Sequence, residues 1–122
     1  MARVLVVDDD PQVLKLLRVN FELEGYDVID AGSGQEAIKA ARTKKPDVIV
    51  CDVMMPGMDG FEVLEHLRSD PKTADLPIVL CSAKAQRSDV IFGERSGANA
   101  YVTKPFDPQD LLDTVSRVLA ER

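Results

Sequence analysis

Short apolar runs along the chain alternate with longer segments whose apolar residues recur every three or four positions. Residues 3–7 are continuous and largely β-branched, which predicts a strand buried on both faces. Asp8-Asp9-Asp10-Pro11 ends it, with Asp10 expected to cap the next helix and Pro11 in its first turn. Val13, Leu14, Leu16, Leu17, Val19, Phe21 and Leu23 recur with helical spacing, and Gly25 is the expected stop. Residues 26–31 alternate, as a strand near a sheet edge would. Ser33-Gly34 opens a second helix with Ala37, Ile38, Ala40 and Ala41 on its apolar face, and Lys44-Lys45-Pro46 is a turn. A third strand over 47–51 stops at Asp52, and a loop with Pro56 and Gly57 follows. The third helix is expected from about Asp59 to Arg68, with Phe61, Val63, Leu64 and Leu67 inward, followed by a loop over 69–73. A fourth strand over 77–81 stops at Ser82, and a weaker helix is expected over 84–95. Gly97-Ala98-Asn99 turns into a short strand over 100–102, and 103–106 is a loop. Asp107-Pro108 caps a fifth helix striped by Leu111, Leu112, Val115, Val118 and Leu119.

Five buried strands alternating with five helices predict an α/β fold, a doubly wound five-stranded parallel sheet with right-handed crossovers. The order expected is the flavodoxin-like 2-1-3-4-5. Nothing is left over for a linker, a repeat or a second domain, so residues 1–122 read as one domain. Ligand sites in such sheets lie at the carboxyl ends of the strands, where the order reverses. Asp8 and Asp9 stand at the end of the first strand and Asp52 at the end of the third. Ser82 ends the fourth and Lys104 follows the fifth, so all five groups are expected on one rim.

Composition narrows the function. The net charge of −6, from 15 basic and 21 acidic residues, argues against broad binding to nucleic acid or anionic membranes. No apolar run approaches ~18 residues, and Met1-Ala2-Arg3 enters a strand without the apolar region of a signal peptide. Cys51 and Cys81 each sit in an apolar run and read as reduced core thiols, close together beneath the rim, in a cytoplasmic protein. Two cysteines and one histidine are too few for a zinc site of the usual kind. Met54, Met55 and Met58 read as loop packing and His66 as an exposed side chain.

Three carboxylates at one spot carry a cost: at ~5 Å and an effective dielectric of ~20, each pair repels by roughly 3 kcal/mol. Three acids exceed the one that a helix cap requires. Lys104 compensates part of the charge, and a hard divalent ion such as Mg²⁺, with oxygen ligands, suits the rest. Mg²⁺ beside a carboxylate and an ammonium is an arrangement that receives a phosphoryl group, and a carboxylate can be the nucleophile. Asp52 is the expected acceptor, with the Ser82 hydroxyl able to hydrogen-bond a phosphoryl oxygen.

The chain resembles a receiver domain of a bacterial two-component response regulator in its single-domain, chemotaxis-regulator-like form. The resemblance rests on Val6-Val7-Asp8-Asp9, on 52–60 (Asp-Val-Met-Met-Pro-Gly-Met-Asp-Gly), on Ser82-Ala83-Lys84 and on Tyr101-Val102-Thr103-Lys104-Pro105-Phe106. It implies that Asp52 is phosphorylated by a sensor histidine kinase or phosphotransfer protein. It implies that Asp9 binds Mg²⁺ directly, with Asp8 as a water-mediated or alternative partner and Met54 contributing its backbone carbonyl. Ser82 resembles the switch hydroxyl, Lys104 the lysine that pairs with the phosphoryl group, and Tyr101 the aromatic that turns inward. Met54 and Lys84 flank the approach of water, and the Lys104–Pro105 bond is expected cis. The implied output is a change in the surface of the fourth helix, fifth strand and fifth helix, read by a downstream protein, with slow self-dephosphorylation. Asn99 and Ala100 stand where acids precede the aromatic in many receivers that pair through that surface, which argues against such pairing here. The protein is expected either to act by binding a partner or to be part of a longer chain. Three rivals fit less well. A phosphatase with an aspartate nucleophile needs an acid where Met54 stands. A flavin module needs hydroxyl or glycine residues after the first strand. A receiver that no longer takes phosphate would not need the acid, hydroxyl and lysine together.

Overall fold

The computed structural model describes residues 2–83 and 87–122, with Arg87 as backbone alone. Lys84 lies outside the described residues. In chain order the elements are β1 (Arg3–Val7), α1 (Pro11–Leu23), β2 (Asp27–Ala31), α2 (Gly34–Thr43) and β3 (Val48–Asp52). They continue as α3 (Gly60–Ser69), β4 (Ile78–Ser82), α4 (Arg87–Arg95), β5 (Ala100–Thr103) and α5 (Pro108–Glu121). The strands form one parallel sheet in the order β2-β1-β3-β4-β5, as the alternation of elements required.

The local signals work through side chains. Asp10 caps α1 by accepting from the Gln12 amide, with Pro11 in the first turn. Ser33 caps α2 through the Glu36 amide, and Asp107 caps α5 through the Gln109 amide. Gly25 follows the end of α1 at φ 91°, a conformation that costs a residue with a Cβ ~1 kcal/mol or more. Asp59 proves to be the cap of α3, not its first residue: it accepts from the Glu62 amide and Glu62 reaches back to its own amide.

Alternate residues of the strands feed two cores. Val4, Val6, Val48, Val50 and Val79 pack under α1 and α5, against Leu17, Phe21, Leu111 and Val115. Leu5, Val7, Ile49, Ile78 and Leu80 pack under α2 and α3, against Ala37, Val63, Leu64 and Leu67. All the side chains of β3 and β4 are buried, which explains why those strands read as unbroken apolar runs. Each such Val, Ile or Leu contributes roughly 1.5–3 kcal/mol by leaving water.

Three expectations change. β3 and β4 each begin and end one residue later than expected, so Asp52 and Ser82 are their last residues rather than the residues after them. Leu16, Val19 and Leu23 share the helical period of α1 but are exposed, because the face turned to the core carries Leu17 and Phe21, with Val13 and Leu14 packed partly against it. Cys51 and Cys81 sit on neighbouring strands yet belong to opposite faces of the sheet, because Cys51 pairs with Leu80 and Cys81 with Asp52. Both thiols are free and buried.

Candidate functional site

The carboxyl ends of β1 and β3 lie side by side, with Val7 paired to Cys51. Asp8 leaves β1 with its amide donating to Ala31 at 3.2 Å, and its Oδ1 accepts from the Asp10 amide at 2.9 Å. The same acid run thus supplies a helix cap at Asp10 and a fixed carboxylate at Asp8. Asp52 is held by the end of β3, where the Val53 amide donates to the Cys81 carbonyl at 2.9 Å. Asp8, Asp9 and Asp52 each offer a carboxylate oxygen within 4.8 Å of the others. Asp8 and Asp52 are nearly sealed from solvent, at 3% and 6% exposed, and Asp9 stands at the opening.

Lys104 reaches this cluster from the loop after β5. Its Nζ donates to Asp8 Oδ2 at 2.8 Å and lies 3.5 Å from Asp52 Oδ1. Its own amide donates to the Ser82 carbonyl at 2.7 Å, which ties the loop to the end of β4, and the Lys104–Pro105 bond is cis as expected. Burial pushes the Asp52 carboxyl above the ordinary aspartate range, Lys104 pulls it down, and Asp8 pushes it up again. Burial alone would lower the Lys104 ammonium, but its hydrogen bond to Asp8 and the charges of Asp52 and Asp8 outweigh that and raise it. The cluster is therefore three acids against one firmly protonated amine. Hard oxygen donors from two strand ends, with a surplus of negative charge, fit a divalent ion of the Mg²⁺ class.

Ser82 is fully buried at the end of β4, and Tyr101 is half-buried on β5. Burial raises the Tyr101 hydroxyl above its ordinary range, while a hydrogen bond with Ser82 pulls it back. The Tyr101 ring stacks on Phe61 of α3, centroids 6.5 Å apart and planes at 25°. Met54 is half-exposed, not packed into the loop, and its amide approaches Asp52 Oδ1 at 3.4 Å. Met55 is buried and His66 exposed.

Gly60 has a role that patterning did not reveal. A Cβ at Gly60 would stand 2.6 Å from the Asp52 carbonyl oxygen and 2.8 Å from the Val53 Cα. Only glycine lets α3 start directly against the backbone that carries Asp52. The turn-rich 52–60 stretch advertised a loop, but no periodic signal marks a close approach of two backbones.

Comparison with known proteins gives the same reading. The family model described as the response regulator receiver domain matches residues 4–116. The chain belongs to that family. The receiver is 40% identical over 120 residues to protein PilH of Pseudomonas aeruginosa, covering 98% of this chain and 99% of PilH. It is 44% identical over 117 residues to the alkaline phosphatase synthesis transcriptional regulatory protein PhoP of Bacillus subtilis. That match covers 96% of this chain but 48% of PhoP, so the receiver spans about half the length of that relative. Among solved structures, the Francisella response regulator 1452 receiver domain superposes with a TM-score of 0.93 at 35% identity, covering 99% of this chain and 98% of that one. Chemotaxis protein CheY4 of Vibrio cholerae gives 0.91 at 35% identity, covering 97% and 98%. Receivers are phosphoacceptors rather than enzymes in their own right, generally bind Mg²⁺, and interact with histidine kinases or phosphotransfer proteins. Among the described residues, no helix of this receiver is long and apolar enough to cross a membrane.

Proposed function

We propose that residues 1–122 form one receiver domain that accepts a phosphoryl group on Asp52 from a histidine kinase or phosphotransfer protein. The observation that carries this is the 4.8 Å grouping of Asp8, Asp9 and Asp52 beside the Lys104 amine. A carboxylate oxygen of Asp52 attacks the phosphorus of a phosphohistidine. A P–O bond forms, the P–N bond breaks, and the released imidazole nitrogen takes up a proton. Asp9, Asp8, Asp52 and the Met54 backbone carbonyl would hold Mg²⁺. Bound there, it would neutralise charge on the transferring oxygens. Lys104 keeps its proton and is already placed against Asp52 to meet a phosphoryl oxygen, so little reorganisation is needed. The Ser82 hydroxyl exchanges its partner for a phosphoryl oxygen, and Tyr101 repacks toward the space it leaves. That biases the surface of α4, β5 and α5 toward a form read by a downstream protein in the cytoplasm. Water then hydrolyses the acyl phosphate slowly, with its approach bounded by Met54.

The test is mass measurement of the intact chain after incubation with a small phosphodonor. One phosphoryl group is expected with Mg²⁺, and none after chelation or in Asp52→Ala. Labelling that survives both controls would refute the assignment. Ser82→Ala should keep the label while losing the spectroscopic response at Tyr101.

A further inference from the structure

A second concave feature lies away from the acid rim. α3 and α4 flank a groove of about 550 Å³. Its floor is Phe61 and Phe92, with ring centroids 4.9 Å apart and planes at 88°, edge to face. Phe92 is 56% exposed, so its ring leaves much of its apolar surface in water. One wall is acidic: Asp59, Glu62 and Glu65, the two glutamates one turn apart on α3. Arg68 also borders the groove as its one cation among the described residues, and its donors are turned to other partners. Its guanidinium donates to the carbonyls of Gly97, Ala74 and Leu76 and to Asn99 Oδ1. An aromatic floor under a wall of three carboxylates, which form no ion pair among the described residues, is the reverse of what an anionic ligand needs.

We propose that this groove docks a helical segment of a partner protein bearing arginine or lysine. The charge complementarity is direct: a guanidinium or ammonium would meet Glu62 and Glu65 while its methylene stem lies on the rings of Phe61 and Phe92. Cation–π attraction adds to the ion pairs, and a helix laid along α3 repeats its cations at the spacing of the two glutamates. The two rings already meet before anything binds. Phe61 is held by Tyr101 on one side, and Gly93 allows α4 to close on both rings. A Cβ at Gly93 would stand 3.0 Å from Tyr101 Cδ2 and 3.4 Å from Phe61 Cε1. A preformed floor reduces the ordering cost of docking. The surface is separate from the rim where Asp52 meets its phosphodonor, so both could be engaged at once.

The test is an amide-resolved NMR titration of the full chain with a blocked alanine-based helical peptide. The peptide carries two arginines one turn apart beside a leucine, and a control replaces both arginines with glutamine. Shifts should gather over 61–69 and 92–96, saturate, and weaken with added salt. Affinity should fall about tenfold with the glutamine peptide, in Glu62→Gln/Glu65→Gln, or in Phe92→Ala. Glutamine at 62 can still accept from the Asp59 amide, so the start of α3 survives. Shifts scattered over the surface or centred on the acid rim would overturn the proposal. So would equal binding of the control peptide or of the glutamine double variant. If the groove amides move on dilution of the protein alone, the occupant is a second copy of this chain and the proposal also fails.

Discussion

At the scale of single residues, burial makes Asp52 expensive to ionise where it sits. Its folded-state pKa is raised, so the native state holds that proton more tightly than the unfolded chain does. The corresponding stability is fully present below the ordinary aspartate pKa and is lost as pH rises through the raised value. At neutral pH the metal-free fold therefore carries an ionised carboxylate that burial and Asp8 disfavour. Asp52→Asn removes that charge, so in chelator it should be more stable than the wild type by on the order of 1 kcal/mol, or ~4 °C in midpoint. The advantage should shrink as pH is lowered through the titration of Asp52 and reverse when Mg²⁺ is added, because the variant loses a ligand. Calorimetry across pH, with and without Mg²⁺, checks this; a gain that grows toward acid would contradict the sign. Lys104→Met tests the opposite partner. It leaves Asp8 and Asp52 facing each other without the amine at 2.8 Å and 3.5 Å. Since the amine is a quarter exposed, the loss should be about 1–2 kcal/mol in chelator, read by urea unfolding, and smaller once Mg²⁺ is present.

At the scale of elements, the strand and helix signals differ in how much of their cause is local. Asp10, Ser33 and Asp107 cap their helices through amides two or three residues on, so their effect is written in neighbouring letters. β3 and β4 are covered on both faces, so a plain apolar run suffices to find them. The outward residues of α1 were not separable from the inward ones, since Leu16 and Leu17 are chemically alike and only the position of the sheet distinguishes them. Gly60 belongs to the same class of long-range fact. Its need for glycine comes from the Asp52 carbonyl across the loop, not from its own turn. Gly60→Ala should therefore force the start of α3 away from β3 and cost about 2–3 kcal/mol, the range for an added methyl that meets backbone. The check is the urea midpoint together with hydrogen exchange at the Gly60 amide, whose 2.9 Å bond to the Val53 carbonyl would part. A change below ~0.5 kcal/mol would mean that α3 can shift freely.

At the scale of the whole molecule, the sheet order is what turns scattered letters into a site. Residues 8, 9, 52 and 104 come from three segments, and they meet because β1 lies beside β3 and the β5 loop folds back over β4. That convergence was legible, because the alternation of elements dictated both the parallel sheet and its carboxyl rim. The groove between α3 and α4 was not, because Phe61 and Phe92 are thirty-one positions apart and neither lies in a recognisable motif. The cysteines were half legible. Their burial followed from apolar runs, but their separation to opposite faces depends on the pairing of Cys51 with Leu80. This has a global consequence. Burial pushes the Cys81 thiol up to about 12 and the Cys51 thiol well above its ordinary value, so neither offers a thiolate in the native state. Each lies in a different core, so exposing both requires opening both faces of the sheet. In a neutral buffer, a thiol-reactive disulfide reagent should label the two at one common rate, at least roughly a thousandfold below that of an unfolded cysteine. On the proposed metal role Mg²⁺ should slow both equally, because an ion held only at the folded rim favours the closed form. Mass-resolved labelling would show this as a direct passage from no label to two. A singly labelled species that accumulates in native buffer would mean that one face opens alone, and that the two cores do not fold as one unit.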